Sequence, residues 1–208
     1  MLKVGLTGSI AVGKSFVLSV LKELGCIVFD ADSIAHNCME PGTPAYNDIV
    51  HEFGVGVLAE TGAVDRAKLG AIVFQDQARR LRLNEIVHPR VKEAQDRLLR
   101  AAEAEDPNGI AIVDAALIIE SGGYKRFDKL IVVFCDRETQ IKRLMARNNL
   151  ARQDAESRIA AQMTSEEKRR FADFEIDTSG DFQDTRRRAI EVYSELHGIQ
   201  LKSPNRLS

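Results

Sequence analysis

The most constraining feature of this sequence is a glycine-rich segment near its N-terminus. Gly8-Ser-Ile-Ala-Val-Gly-Lys-Ser15 matches the pattern G-x-x-x-x-G-K-[ST] at every fixed position. It follows an apolar run, Leu2–Thr7, and opens an amphipathic stretch over residues 14–24. A strand, a glycine-rich turn and a helix in this order direct backbone N–H groups toward an anion. The sequence therefore predicts a nucleotide-phosphate loop.

Each fixed position of this loop has a chemical role. Gly8 and Gly13 permit backbone angles that a β-carbon disfavours. The Lys14 ammonium is expected to reach the β- and γ-phosphates of ATP, and the Ser15 hydroxyl to ligate Mg²⁺. A chance match is the alternative, and the strand-to-helix context argues against it.

Short apolar runs alternate with longer amphipathic segments along the chain. The runs look buried on both faces, as parallel strands are, and cover residues 2–7, 26–30, 110–114, 130–135 and, weakly, 174–177. Helical patterns fill the intervals, which predicts a three-layer α/β domain. Two of the predicted helices, 78–87 and 89–105, meet at Pro89, a residue suited to the first position of a helix.

The spacing of the strands is uneven. Residues 31–109 separate the second and third strands, whereas a compact α/β crossover needs only about thirty residues. We therefore expect a helical substrate-binding lobe over residues 33–106, and a mobile, Arg-rich lid over residues 143–170. The predicted core consists of the remaining segments, 1–32, 107–142 and 171–201. Residues 202–208 are expected to form a frayed tail.

Composition excludes several classes of protein. The 208 residues are 44% hydrophobic with a net charge of −2, which does not suit a general nucleic-acid coat. The apolar runs are too short to cross a bilayer. The three cysteines form no CxxC pair, which suits a reducing compartment. We expect a cytoplasmic protein, monomeric or weakly homo-oligomeric, that binds a small molecule rather than nucleic acid or membrane.

Acidic residues end two of the predicted strands. The second strand ends at Asp30 and Asp32 comes just after it, at the strand end where ligands of open α/β sheets bind. Either could orient an acceptor hydroxyl and take its proton, and one of them could instead cap the next helix. We expect Asp32 to be the base and Asp30 to be more structural or near the metal. Asp114 ends the third strand, where an acidic residue holds Mg²⁺ directly or through water, or else terminates a turn. Glu120, in the loop beyond, is a weaker candidate.

Polar residues later in the chain are further candidates. Arg143 and Arg147 are four residues apart and share a helix face, with Arg152 beyond. They could bind phosphates from a closing lid or form a solvated face. Residues 177–180 could contact adenine through their backbone or form a simple turn. His88 precedes Pro89 and is more often a packing or capping residue than a substrate contact.

Blocks of the sequence, in order, resemble dephospho-CoA kinases. They are Gly5-Leu-Thr-Gly-Ser-Ile-Ala-Val-Gly-Lys-Ser15, Asp30-Ala-Asp32, Glu40-Pro-Gly-Thr-Pro-Ala-Tyr46, Ile86-Val-His-Pro89, Asp114-Ala-Ala-Leu-Ile-Ile-Glu120, Gln140-Ile-Lys-Arg-Leu-Met-Ala-Arg147, Arg158-Ile-Ala-Ala-Gln-Met163 and Ala172-Asp-Phe-Glu-Ile-Asp-Thr-Ser-Gly180. The P-loop is common to many enzymes, but Asp-Ala-Asp and the later blocks together are specific.

The resemblance implies a fold and an activity. The fold is like that of nucleoside monophosphate kinases: a P-loop core with a parallel five-stranded sheet of order 2-3-1-4-5, a helical substrate lobe and a lid. The activity is ATP-dependent phosphorylation of the ribose 3′-hydroxyl of dephospho-CoA, the last step of coenzyme A synthesis. Asp32 is then the base, and Lys14, Arg143 and Mg²⁺ stabilise the transferred group.

The resemblance also implies binding residues. Those expected to contact ATP are Gly8, Ser9, Ile10, Ala11, Val12, Gly13, Lys14, Ser15, Phe16, Arg143, Arg147, Ser179 and Gly180. Those expected to contact dephospho-CoA are Asp32, His88 and Leu117. Mg²⁺ is assigned to Ser15, with Asp114 as a second candidate through water.

The sequence departs from the family pattern at five positions. Ser9, Ala11, Val12 and Phe16 replace the usual Gly, Gly, Ser and Thr of the phosphate loop, and Ala116 replaces a Pro. None is a fixed position of the phosphate-loop pattern, so the mechanism is expected to survive while turnover or nucleotide affinity could change.

Three rival functions remain. The nearest is another small-molecule kinase, of the nucleoside monophosphate or shikimate type. A GTP-dependent switch is suggested by Asp177-Thr-Ser-Gly180, which matches D-x-x-G, but this string lies late in the chain and no Asn-Lys-x-Asp motif accompanies it. A degenerate ATP-binding protein is the third.

Overall fold

The computed structural model describes residues 1–202, which divide into two compact units. One unit contains Met1–Phe29 and residues 102–202, and the other is Asp30–Ala101. The expected tail therefore lies outside the described residues except for Lys202, which ends the last helix. In the described part of the chain, no helix combines the length and the apolar character needed to cross a membrane.

A five-stranded parallel sheet forms the centre of the first unit. Its strands are β1 (Leu2–Thr7), β2 (Ile27–Asp30), β3 (Ile110–Asp114), β4 (Lys129–Phe134) and β5 (Phe174–Asp177). The order is β2-β3-β1-β4-β5, which confirms the sheet expected from the sequence. Leu6 of β1 pairs with Asp114 of β3 and with Ile131 of β4, so the phosphate loop leaves the middle of the sheet.

Helices cover the sheet and form most of the second unit. In chain order they are α1 (Lys14–Glu23), α2 (Ala31–Cys38), α3 (Pro44–Phe53), α4 (Arg66–Gln75), α5 (Gln77–Glu105), α6 (Arg137–Asn148), α7 (Arg152–Ala160), α8 (Ser165–Arg169) and α9 (Phe182–Lys202). Short polar side chains begin several of them. Thr164, for example, caps α8 in a reciprocal pair with Glu167.

Each unit has its own apolar core. In the first unit, the buried faces of β1, β3, β4 and β5 pack with α1 and α9, and Val4, Ile112, Ile131 and Val192 are fully buried there. In the second unit, a smaller core contains Ala45, Ile49, Val57, Leu69 and Ile86. Burial of such side chains contributes roughly 1.5–3 kcal/mol each, which explains why two separate cores are sustained.

The prediction that Pro89 starts a new helix is wrong. Helix α5 is continuous from Gln77 to Glu105, with Pro89 inside it. A proline in a helix interior removes one hydrogen bond and costs about 3 kcal/mol. The apolar stripe nevertheless keeps its phase across the proline, since Ile86 and Ala94, eight residues apart, are both buried. Burial of one face on both sides of Pro89 offsets the local cost.

Candidate active site

The phosphate loop occupies residues 8–13, between the end of β1 and the start of α1. A β-carbon at Gly8 would lie 2.3 Å from the carbonyl oxygen of Val133, so only glycine fits there. Gly13 has φ of +87° and precedes α1 without a side-chain cap. No side chain caps this end of α1, and an uncapped helix N-terminus after a glycine-rich turn is the arrangement that binds phosphate.

The ammonium of Lys14 lies over this loop. Its Nζ is 3.5 Å from the carbonyl oxygen of Gly8 and 3.7 Å from Oδ1 of Asp114. Both side chains are about one-fifth exposed (19% and 21%). The structure therefore brings together two residues from different strand ends that the sequence analysis had selected separately. Ser15, in the first turn of α1, is exposed.

The middle of the loop is tied to the α6–α8 region. The Ile10 N–H donates to Oε1 of Gln162 at 2.7 Å, and Nε2 of Gln140 donates to the Ile10 carbonyl at 2.7 Å. The Ser9 hydroxyl donates to the Met163 carbonyl at 3.0 Å. Gln140 is buried in α6. The loop conformation thus depends on side chains about 130 to 150 residues later in the sequence.

The departures from the family pattern occupy distinct environments. Ala11 has φ of +60°, in the left-handed region where a β-carbon is disfavoured. Val12 is buried. The Phe16 ring lies edge-on against Phe182, with ring centroids 4.9 Å apart. The Ala116 carbonyl accepts a hydrogen bond from the Thr7 hydroxyl at 3.1 Å.

Arg143 lies beside the phosphate loop. Its Nη1 and Nη2 donate to the hydroxyl and carbonyl oxygens of Thr178 at 2.9 and 2.8 Å. A β-carbon on Gly13 would be 3.4 Å from Nη1 of Arg143. The fixed guanidinium therefore places positive charge next to the loop, with one edge held by Thr178.

The other two candidate arginines are exposed. Arg147 donates to Oδ1 of the adjacent Asn148 at 2.9 Å. Arg152 forms ion pairs with Glu138 and Glu156, at 2.7 and 2.8 Å. A shared helix face therefore does not give Arg143 and Arg147 the same environment.

The segment after β5 is ordered by local hydrogen bonds. The Ser179 hydroxyl donates to Oδ1 of Asp177 at 2.6 Å and accepts from the Asp136 N–H at 2.8 Å. Gly180 follows at the turn into α9. The hydrogen bonds that Thr139 donates to the Asp136 carboxyl lower the pKa of that carboxyl. Contact of Ser179 and Gly180 with adenine stays a prediction.

In the second unit, Asp30, the last residue of β2, and Asp32, in α2, have different surroundings. Asp30 is the N-cap of α2: its carboxylate accepts from the Asp32 N–H at 2.9 Å and from the Ser33 hydroxyl at 2.7 Å. Asp32 lies in the first turn of α2, and its residue is exposed. His88 is exposed on α5. The roles of Asp32 and His88 in binding stay predictions.

The loop after β3 contains Leu117 and Glu120. Leu117 is exposed, as a ligand contact would require. Oε1 of Glu120 lies 2.7 Å from the ammonium of Lys168. The Glu120 carboxylate is therefore engaged by a cation, which argues against Glu120 as the metal ligand.

Sequence reasoning missed four residues that organise this region: Thr178, Lys168, Gln140 and Gln162. Thr178 lies within the segment 177–180 that was considered for backbone contacts, but the role of its side chain was not predicted. Lys168 stands in Glu-Glu-Lys-Arg-Arg, a pattern that normally indicates a solvated face. The two glutamines stand in blocks that resemble the family, residues 140–147 and 158–163, but no local pattern marks them as contacts of the phosphate loop.

The sheet order and the phosphate loop define a P-loop kinase, a phosphate-transferring enzyme. The family profile described as Dephospho-CoA kinase matches residues 2–184. This chain belongs to the dephospho-CoA kinase family.

Individual relatives agree with the family assignment. A Geobacter sulfurreducens protein named Dephospho-CoA kinase is 44% identical over 193 residues, which are 92% of this chain and 97% of the relative. The solved structure of the Dephospho-CoA kinase from Campylobacter jejuni aligns with a TM-score of 0.72 at 29% identity, covering 94% of this chain and 97% of that one. A Thermus thermophilus crystal structure aligns with a TM-score of 0.79 at 31% identity, with the same coverage.

Proposed function

We propose that this protein transfers the γ-phosphoryl group of ATP to the ribose 3′-hydroxyl of dephospho-CoA, giving coenzyme A and ADP in the last step of coenzyme A synthesis. The observation that supports this acceptor is the family match over residues 2–184. The donor side is supported by the geometry of the phosphate loop, with Lys14 above it and Arg143 beside it.

On the donor side, residues 8–16 bind the triphosphate. Backbone N–H groups of the loop, other than that of Ile10, which donates to Gln162, contact the phosphate oxygens together with the first turn of α1. Lys14 and Arg143 neutralise the charge on the transferring group, and fixed cations of this kind lower the barrier because they need no reorganisation during the reaction. Arg147, Ser179 and Gly180 complete the nucleotide contacts in this proposal.

Mg²⁺ fits the available donors. Ser15 offers a hydroxyl at the first turn of α1, and Asp114 offers a carboxylate whose Oδ1 is 3.7 Å from Nζ of Lys14. Mg²⁺ takes few protein ligands and keeps several waters, so these two side chains and water would be enough to hold it. When bound, the ion would neutralise phosphate charge.

On the acceptor side, Asp32 is the proposed base. Its carboxylate orients the 3′-hydroxyl and takes its proton as the oxygen attacks the γ-phosphorus in line, and ADP leaves. The structure supports Asp32 over Asp30 because Asp30 already accepts two hydrogen bonds as the cap of α2. His88 and Leu117 are proposed acceptor contacts.

The decisive assay uses purified protein with ATP, Mg²⁺ and dephospho-CoA, with coenzyme A measured by mass spectrometry. Nucleoside monophosphates and shikimate serve as competing acceptors, and GTP as a competing donor. We expect product only with ATP and dephospho-CoA. Folded protein that binds ATP but forms no coenzyme A would reject the acceptor, and would leave a rival kinase or a degenerate ATP-binding protein.

Asp32→Asn tests the base. Asn keeps the size of the side chain but takes up no proton, so kcat should fall roughly 10²- to 10⁴-fold with little change in stability. Asp65→Asn is the matched control, since Asp65 caps α4 in the same unit and Asn caps helices equally well. Equal kcat for the wild type and Asp32→Asn would remove Asp32 from the mechanism.

The cellular setting is part of the proposal. Cys26, Cys38 and Cys135 are free thiols, which supports a reducing compartment such as the cytoplasm. A monomer or weak homo-oligomer is expected, and light scattering coupled to size-exclusion chromatography measures it.

A further inference from the structure

Lys168 is a charged side chain in an almost fully buried position. It is 1% exposed, in the short helix α8. Its ammonium donates to Oε1 of Glu120 at 2.7 Å and to the carbonyl oxygen of Ala116 at 2.9 Å. Removing an ammonium from water is costly unless good partners replace the water. Both partners lie in the loop after β3, so α8 is fastened to that loop.

The residues just before Lys168 contact the phosphate loop. Gln162 accepts a hydrogen bond from the Ile10 N–H, and the Met163 carbonyl accepts one from the Ser9 hydroxyl. The segment 162–168 therefore touches the phosphate loop at one end and the loop after β3 at the other. The capping pair of Thr164 and Glu167 makes its middle rigid.

The loop after β3, residues 115–122, adjoins groups assigned to the reaction. It follows Asp114, whose Oδ1 is 3.7 Å from Nζ of Lys14, and it contains the exposed side chain of Leu117. Its Ala116 carbonyl also accepts from Thr7, the residue just before Gly8. A shift of this loop would move Leu117 relative to the phosphate loop and would disturb the backbone directly after Asp114, the last residue of β3.

We propose that Lys168 is a positioning residue for phosphoryl transfer. With Glu120 it holds residues 115–122 at a fixed distance from the phosphate loop, through the bridging segment 162–168. The role of the positioned residues in catalysis rests on the proposed function. The bridge of residues 162–168 rests only on contacts observed within the first unit. A purely structural buried pair is the competing explanation, and it predicts lost stability with full turnover in the molecules that remain folded.

The test compares Lys168→Met, Glu120→Gln and the double variant with the wild type. Turnover is expressed per folded molecule, counted by binding of a non-hydrolysable ATP analogue. Hydrogen exchange of peptides covering 115–122 reports on the loop directly. Lys129→Met is the matched control, because Lys129 also pairs with a carboxylate at 2.8 Å, that of Asp173, but is about one-third exposed.

We expect Lys168→Met to lower kcat roughly 10- to 100-fold, because small displacements of reacting groups have effects of that size. KM for ATP should change less than kcat, and exchange over 115–122 should become faster. The double variant should be no slower than Lys168→Met, since both changes remove one shared contact. Lys129→Met should match the wild type in both measurements.

Three results would overturn the proposal: wild-type kcat per folded molecule in Lys168→Met, unchanged exchange over 115–122, or losses that add in the double variant. If Lys168→Met does not fold, Glu120→Gln decides the question, because it keeps the side-chain size at a partly exposed position. The proposal then requires that Glu120→Gln slow turnover and speed hydrogen exchange over residues 115–122. If the wild type makes no coenzyme A, the proposed function fails, while the exchange comparison still tests the bridge.

Discussion

The hydroxyl of Thr178 lies 2.7 Å from the carbonyl oxygen of Val12, across 166 positions of the chain. Thr178 is 3% exposed, and its hydroxyl and carbonyl oxygens accept hydrogen bonds from the guanidinium of Arg143. One buried hydroxyl after β5 thus contacts both the backbone of the phosphate loop and the cation beside it.

Thr178→Val should weaken both fold and nucleotide binding. Valine keeps the shape but leaves the Val12 carbonyl and Arg143 without this partner, and a lost buried hydrogen-bond partner costs about 1–3 kcal/mol. Urea unfolding should show that loss, and initial rates should show a higher KM for ATP. Thr178→Ser retains the hydroxyl and is expected to stay near the wild type. Unchanged KM and stability in Thr178→Val would contradict the role.

Lys14→Ala should fold normally and lose most activity. The ammonium is proposed to act on the transferring phosphoryl group, and loss of such a fixed donor typically lowers kcat roughly 10²- to 10³-fold. The control is Lys22→Ala, an exposed lysine on the same helix, which should keep full activity. Similar turnover in the two variants would refute the phosphate-loop assignment.

Ala11→Gly should leave stability within about 1 kcal/mol of the wild type. Relief of the left-handed backbone favours glycine by about 1–2 kcal/mol. The lost methyl packing, about 0.8 kcal/mol, and the greater freedom of glycine in the unfolded chain, about 0.5–1 kcal/mol, oppose it. Ala11→Val should instead be clearly destabilised, since a branched side chain fits φ of +60° poorly. Thermal unfolding measures both, and a Val variant as stable as wild type would show that the loop backbone relaxes.

Pro89→Ala should stabilise the chain. Alanine restores the missing helical N–H and removes the ring, a gain of up to about 3 kcal/mol, reduced by about 0.4–1 kcal/mol because the unfolded chain becomes more flexible. Pro44→Ala is the control, since Pro44 lies at the first position of α3, where proline fits. Equal effects of the two changes on the free energy of unfolding would contradict a cost specific to the interior of α5.

The cysteines should differ in reactivity. Burial raises the pKa of Cys26 to about 12 and that of Cys135 to about 11, so neither forms much thiolate in mildly alkaline buffer. Burial also raises the pKa of Cys38, which is only partly buried. Iodoacetamide should therefore modify Cys38 first in the native protein, as peptide mass spectrometry would show. Equally fast labelling of Cys26 would indicate an open core.

The two buried thiols also make stability depend on pH. Because Cys26 and Cys135 stay neutral in the fold, their contribution to stability is fully present below about pH 9 and is lost as the pH rises through 11 to 12.

The sheet and the phosphate loop were predictable because their signals are local. Apolar runs mark the strands, and the loop pattern with its flanking elements marks the binding turn. Helix ends were less predictable: Pro89 lies within α5 because apolar residues on both sides bury one face. Asp32 was expected to be the base and Asp30 to be more structural, and the hydrogen bonds of the Asp30 carboxylate show that Asp30 caps α2.

The sequence by itself determined the sheet of parallel strands, the glycine-rich loop after β1 and the family, since each depends on neighbouring residues or on blocks in order. Only the tertiary structure decided that Thr178 holds Arg143 beside that loop while Arg147 is exposed, and that Lys168 is buried against Glu120, 48 positions away. The physical reason is that burial and pairing of a charged side chain depend on distant parts of the chain, and a local sequence pattern contains no information about them.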